Sequence, residues 1–330
     1  MAVSSSSSSA LVLPSIASRT GISPSLPSLR FPRRTRQISL CSSSSPTPME
    51  EEPLQAEESR SKFTDFPHVS PAHRDLMAEL VSSVETRLRP DLHPCTLPPD
   101  VQFYQNPNGS ALAALHVRKG LPSSPIDFII GSWIHGSKLP PGGVDLNITT
   151  LYTYLRPSTD APNFLIEFIQ TSPLSLVLIL DLPPRKDLVM HPDYLKVFYE
   201  DTQLDRHRER LMLLPEVRPY YSRSLYVRAS FSPSSILVSI EANSVDRMED
   251  IVRDHVSPVA KEMLEIWLEL CACAERGEVG VDESRELARR DRVFRNKGFE
   301  IDLESSYPRL FGQEVANRVL RVLRDVILNA

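Results

Sequence analysis

Asn163-Phe164-Leu165-Ile166-Glu167-Phe168-Ile169-Gln170 is followed by Thr171-Ser172-Pro173 and then by Leu174-Ser175-Leu176-Val177-Leu178-Ile179-Leu180-Asp181-Leu182. Both runs have strand length, and the three residues between them are too few for a helical crossover, so the two strands pair antiparallel. Leu176 to Leu180 is apolar at every position, whereas a strand with one wet face would alternate. Both faces of the sheet are therefore covered at this point, and the covering layers must be helices.

Working outward, the same period of two or unbroken apolar character marks strands at Leu112–Val117, Ile126–Ile134, Asp145–Tyr154, Leu225–Ser230 and Ser235–Ala242. Ahead of them, Ser70-Pro71 is a helix start, because proline at the first helical position sacrifices no hydrogen bond. Leu76, Met77, Leu80, Val81, Val84 and Leu88 then recur at helical spacing, and Pro90 ends the run. Helical patterns also cover Pro192–Arg210, interrupted near Thr202, then Ser244–Glu275, Asp282–Lys297 and Tyr307–Leu328. Helix, meander sheet and helices predict an α/β fold, a three-layer α/β/α sandwich around a mainly antiparallel sheet. Without an internal repeat or a break after Ser61, residues 63–330 read as one domain.

The chain has 330 residues and a formal charge of −5. Residues 1–49 contain no acid and no lysine, but five arginines (Arg19, Arg30, Arg33, Arg34, Arg36) among sixteen serines, the composition of an organelle transit peptide of the chloroplast kind. Residues 50–62 read as an acidic linker. Without the leader, 32 basic residues face 42 acidic ones, a charge of −10 that argues against binding a phosphate backbone. No apolar run exceeds five residues, so no transmembrane segment is expected. Four cysteines (Cys41, Cys95, Cys271, Cys273) are too few for a disulfide scaffold, and Cys271 and Cys273 lack the spacing of a zinc or redox pair.

Common catalytic fingerprints are missing. Pro140-Pro141-Gly142-Gly143 has no phosphate-binding helix behind it, and Ser132 in Ile130-Gly131-Ser132-Trp133 lacks the glycine pattern of a nucleophile elbow. The unusual position is Glu167, which alternates with Leu165 and Ile169 inside an apolar strand. A carboxyl there is paired, edge-exposed or protonated, and only the last suits proton donation. Asp302, in Phe299-Glu300-Ile301-Asp302-Leu303, reads as a loop acid between the last two helices. His207 reads as a surface residue among charged neighbours, and His116 and His135 as satisfied histidines within the fold.

Ser124-Pro125-Ile126-Asp127-Phe128, Gly131-Ser132-Trp133-Ile134-His135, Ala161-Pro162-Asn163-Phe164, Leu176–Pro183 with Arg185-Lys186-Asp187-Leu188, Asp254-His255-Val256-Ser257-Pro258 and Tyr307-Pro308-Arg309-Leu310-Phe311-Gly312 together resemble the red chlorophyll catabolite reductases of plants. The similarity runs from about Phe63 to the last helix. It implies a plastid enzyme with the fold of ferredoxin-dependent bilin reductases, no bound metal or flavin, and reduced ferredoxin as external donor. The substrate would be red chlorophyll catabolite, an open-chain tetrapyrrole, and the product the primary fluorescent catabolite. The family's pocket carboxylates match Glu167 and Asp302, and Phe231 matches the position that influences which face of the pigment is protonated. A plain core phenylalanine is its bland alternative. Gln170, at the end of the Glu167 strand, completes the expected substrate-binding set.

Docking an acidic ferredoxin requires a local basic patch. Arg285, Arg289, Arg290, Arg292, Arg295 and Lys297 form the densest cluster, and Arg185 with Lys186 a smaller one; a solvated helix face laced to Glu283 and Glu286 is the alternative. The resemblance further implies a homodimer. Association with pheophorbide a oxygenase at the thylakoid would suit a reactive intermediate, although no amphipathic anchor supports it. Two rival readings are a non-catalytic tetrapyrrole carrier and a bilin reductase acting on a heme-derived pigment.

Overall fold

The computed structural model describes residues 60–139, 143–274, 277 and 279–328. The leader, most of the linker, Cys41 and Pro140 to Gly142 lie outside the described residues. The chain is already helical at 60–64, so residues 60–62, expected in the linker, belong to the fold.

One eight-stranded sheet forms the middle layer. Its strands are β1 (Phe103–Gln105), β2 (Ala111–Lys119), β3 (Ile126–Leu139), β4 (Val144–Leu155), β5 (Phe164–Ser172), β6 (Ser175–Asp181), β7 (Val217–Pro219) and β8 (Ile236–Glu241). The spatial order is β1-β2-β3-β4-β5-β6-β8-β7, and every pairing is antiparallel. The β5–β6 hairpin sits where its apolar sequence requires, inside the sheet with a helical layer on each side.

The first helical layer covers one face, leaving a cavity at one end of it. The helix Pro71–Arg87 buries Leu76, Met77, Leu80, Val81 and Val84 against it, and the helices Val245–Ile251 and Ser257–Trp267 lie alongside. From the sheet, Phe164, Ile166 and Phe168 of β5 and Leu178 and Leu180 of β6 meet them with no solvent exposure. Gly131 has no side chain because the Phe63 ring occupies the space a Cβ would need. The indole N–H groups of Trp133 and Trp267 donate to the carbonyls of Phe63 (3.1 Å) and Pro162 (3.0 Å), so neither ring buries an unsatisfied donor.

The second layer, helices Val281–Gly298, Ser305–Phe311 and Gln313–Ile327, covers only part of the other face. Leu115, Val117, Phe128 and Tyr154 are buried beneath Phe299, Tyr307, Phe311, Val319 and Leu323. Arg185 clamps the layer to the sheet: Nε and Nη2 donate to the two oxygens of Asp291 at 3.1 and 2.5 Å, and Nη1 donates to the carbonyls of Thr159 and Ala161. A second clamp pairs Arg295 with Asp127 at 2.7 Å, the guanidinium lying over Phe128 and Tyr154.

Four expectations need correction. Leu225–Ser230 is a short helix rather than a strand: Ser224 Oγ accepts from the Val227 N–H and caps it, Leu225 is 72% exposed, and β7 takes the edge position. His207 is 5% exposed, since its charged neighbours point outward from the helix Asp205–Met212 while the imidazole turns inward. Arg185 and Arg295 are buried ion-pair partners, so neither belongs to a docking patch. Asp302 lies in a wide, π-type helical turn, Phe299–Glu304, continuous with the helices before and after it, not in a loop. Among the described residues, no helix is long and apolar enough to cross a membrane.

Candidate active site

The incompletely covered face carries the Glu167 side chain. Directly paired residues of antiparallel strands share a face, so Ser132, Thr150, Glu167, Ile179 and Leu237 form one row across β3, β4, β5, β6 and β8. The adjacent row contains Ile130, Tyr152, Leu165 and Asp181. Ile148, Ile169, Val177 and Leu237 on this face are only half-buried, whereas their counterparts on the opposite face are sealed. The result is a greasy, half-open floor with acids set into it.

Thr150 Oγ1 donates to Glu167 Oε2 at 2.9 Å, and among the described residues no ion pair neutralises the carboxyl. Burial pushes its pKa up, the nearby charge of Asp302 adds to the rise, and the Thr150 hydroxyl partly offsets both, leaving a value of about 7. Asp302 reaches this environment from the helical side. Its π-type turn adds a residue to the helical repeat and changes the direction in which the side chain projects. By accessible surface Asp302 is an exposed residue, yet protein crowds its carboxyl closely enough that desolvation raises its pKa to about 6. The two acids lie near enough for the charge of Asp302 to act on Glu167.

A third carboxyl, Asp181, was not singled out from the sequence. It is fully buried on the Glu167 face, with its pKa raised to about 7 by desolvation despite hydrogen bonds from Ser232. Ser232 donates to it through its backbone N–H at 2.9 Å and its hydroxyl at 2.5 Å, and Ser234 Oγ lies 3.1 Å from Ser232 Oγ. This network fixes the turn that begins at Phe231. Phe231 is half-buried at the end of the helix Leu225–Ser230, not a sealed core residue. The strand period held the missing signal: Asp181 alternates with Val177 and Ile179 and so had to share their face.

Tyrosines surround the acids. Burial holds Tyr152 far above its ordinary pKa, so it is a neutral hydroxyl; its ring stacks on Tyr154 at 4.1 Å and meets Phe294 edge-on. Tyr220, at the sheet edge, is raised by burial and by the charge of Glu167.

Gln170 is not part of this group. Counting by two from Glu167 leads to Leu165 and Ile169, whereas Gln170 follows Phe168 onto the closed face. There it lines a polar cavity of about 310 Å³ with His68, His135, Asn147 and Glu249. Among the described residues, no group of three or more histidines, cysteines or acids could hold a metal ion.

Comparison with known proteins agrees with this architecture. The family model described as red chlorophyll catabolite reductase matches residues 72–325. The chain is 56% identical over 268 residues to the chloroplastic red chlorophyll catabolite reductase of Arabidopsis thaliana, covering 81% of this chain and 83% of that protein. It is 45% identical to the chloroplastic red chlorophyll catabolite reductase 1 of Oryza sativa subsp. japonica, covering 76% of this chain and 77% of the rice protein. Among solved structures, tomato phytochromobilin synthase in complex with biliverdin shares the fold with a TM-score of 0.61 at 18% identity, covering 78% of this chain and 84% of the tomato chain.

Proposed function

The chain belongs to the red chlorophyll catabolite reductase family, and on that premise we propose that it reduces red chlorophyll catabolite to the primary fluorescent catabolite, with reduced ferredoxin as electron donor. The observation that carries the proposal is the pairing of Glu167 with Asp302 on the half-open face, both acids with pKa values raised to about 7 and about 6.

The chemistry follows from that pairing. The first electron turns the conjugated tetrapyrrole into a radical anion, which one proton converts to a neutral radical; a second electron gives a closed-shell anion, and a second proton completes the reduced bond. A carboxyl with a pKa near neutrality is still partly protonated there and releases the proton at little cost. Glu167 and Asp302 orient the pyrrole nitrogens and deliver protons. Their mutual repulsion favours a state in which one is protonated while the other is ionised, so one can accept a hydrogen bond from a pyrrole N–H while its neighbour donates. The Phe231 turn, tied down by Asp181, forms a one-sided wall that leaves one face of the pigment open to the acid.

The names of the Arabidopsis and rice relatives and the arginine- and serine-rich, acid-free residues 1–49 support placement in the chloroplast, where the stroma is the compartment proposed. Ferredoxin would approach the basic face of the helix Val281–Gly298. Arg285 pairs with Asp282, Arg289 with Glu286 and Lys297 with Glu300, and Arg290 is half-buried over the Phe294 ring, which leaves the exposed Arg292 as the principal docking charge. A homodimer and contact with pheophorbide a oxygenase complete the proposal.

Anaerobic incubation of the protein with the red catabolite and reduced ferredoxin tests it. A colourless fluorescent product is expected. Pigment bound but unchanged would favour the carrier reading. Preferential reduction of biliverdin would favour the bilin reductase reading, for which the tomato fold similarity is the argument.

A further inference from the structure

At one end of the face covered by the first helical layer, several stretches of chain enclose the polar cavity of about 310 Å³. The residues ahead of the helix Pro71–Arg87 contribute His68, β3 contributes His135, β4 and β5 contribute Asn147 and Gln170, and the helix Val245–Ile251 contributes Met248 and Glu249. Ligand pockets start at about this size. The space equals that of about ten water molecules, far more than one inorganic ion fills.

Two polar groups that line it lack partners. Gln170 is 8% exposed, and its side-chain amide has no hydrogen-bond partner among the described residues. Glu249 caps the helix Pro71–Arg87, with Oε2 accepting from the Ala72 N–H at 2.9 Å. Its other oxygen, Oε1, is buried and has no hydrogen-bond partner among the described residues. Buried amides and carboxylate oxygens are nearly always paired, because an unpaired one has lost its water and gained nothing.

The surrounding chemistry selects a cation. Glu249 and Asp145 bring carboxylates to the lining, which contains no lysine or arginine. Oε2 already answers the positive end of the helix, so the helix calls for no further anion. His68 stacks on His135 at 3.9 Å with an interplanar angle of 13°. Burial, together with the neighbouring His135 ring, holds His68 below its ordinary pKa and keeps it from adding positive charge. His135 Nδ1 lies 2.7 Å from Asn147 Oδ1, an atom that can only accept, so the neutral ring carries its proton there and offers Nε2 as an acceptor. Met248 and the stacked rings supply an apolar wall.

We propose that this cavity is a ligand site distinct from the acid pair and that it takes a small aliphatic amine, its ammonium group held by Glu249 Oε1 and the Gln170 side-chain carbonyl. An ammonium has three donors and no acceptor, which suits a carboxylate oxygen, an amide oxygen and an imidazole nitrogen. The alkyl chain lies along Met248 and the stacked imidazoles. The site is independent of the reduction chemistry, since alternation along β5 puts Gln170 and Glu167 on opposite faces of the sheet.

Isothermal titration of the full-length protein at pH 8 and low salt with putrescine, a four-carbon diamine, tests the proposal; the matching four-carbon diol is the uncharged control. Putrescine should bind saturably with a Kd of about 1 mM or tighter, and the diol should not bind. Glu249→Gln, which keeps an oxygen for the Ala72 N–H, should weaken putrescine binding about tenfold or more. Gln170→Ala should weaken it several-fold; it leaves the helix cap untouched and decides the question if Glu249→Gln does not fold. Diffuse attraction to the acidic surface would survive both substitutions, and unchanged affinity in the folded variants would overturn the proposal. So would equal binding of the diol, or no saturable binding of putrescine up to about 10 mM.

Discussion

The two faces of the central sheet are built from the same strands and serve opposite ends. On β5, Phe164, Ile166 and Phe168 face the Pro71–Arg87 layer and are sealed, while Leu165, Glu167 and Ile169 face the C-terminal helices and retain some exposure. The closed face supplies stability through apolar area removed from water. The open face gives up part of that area and keeps Glu167 and Asp181 where water solvates them poorly. A single strand thus both anchors the fold and presents the candidate acid, and the period of two keeps the two faces apart.

The largest effect that would break this comparison lies on the closed face. Phe168→Ala should cost about 3–5 kcal/mol, read as a lowered denaturant midpoint. Ile169→Ala, one residue away on the open face, should cost about 1 kcal/mol. Similar losses at the two positions would mean that the faces are not distinct.

Next in size is the chemistry. Glu167→Gln should lower ferredoxin-dependent turnover by about a hundredfold or more while preserving the circular dichroism spectrum. The same substitution should raise stability at pH 8. A raised carboxyl pKa means that the folded protein holds a proton the unfolded chain releases, so this contribution to stability is fully present below the ordinary value of 4.5 and is lost as pH rises through about 7. Because the site is half-open and coupled to Asp302, the gain in the glutamine variant is about 2 kcal/mol at pH 8. It should vanish at pH 4, which comparison of urea midpoints at the two pH values checks.

A smaller effect sharpens the account of the acid pair. Asp302→Asn removes the charge that helps to raise Glu167, so the remaining acid should titrate lower and the alkaline limb of the turnover profile should move to lower pH. An unchanged limb would separate the two carboxyls. Smallest is docking: reversing the charge at Arg292 should raise the ferredoxin KM about twofold or more at low salt and little at high salt.

Much of the fold was legible because its signals are local. The β5–β6 hairpin, the Ser70-Pro71 start and the Leu76 to Leu88 spacing all sit where their sequence put them. What misled was context. Leu225–Ser230 alternates like a strand, but the Ser224 cap and exposure of Leu225 on the surface favour a helical turn. The charged neighbours of His207 concealed that its own side chain turns inward. Glu167 could be read from parity, and the same parity would have placed Asp181 with it and Gln170 opposite. The placement of Asp302 beside Glu167 could not be read from its own neighbours, because it depends on a wide turn in one layer meeting a strand more than a hundred residues earlier in another.

The central claim is that protons reach the pigment from carboxyls on the open face. Anaerobic single-turnover reduction with reduced ferredoxin, followed across pH 5 to 9 for the wild type and Glu167→Gln, tests it most directly. The expected result is a wild-type rate that falls as pH rises through about 7 and a slow variant that has lost this dependence. A folded Glu167→Gln protein with the wild-type rate and the wild-type pH profile would contradict it.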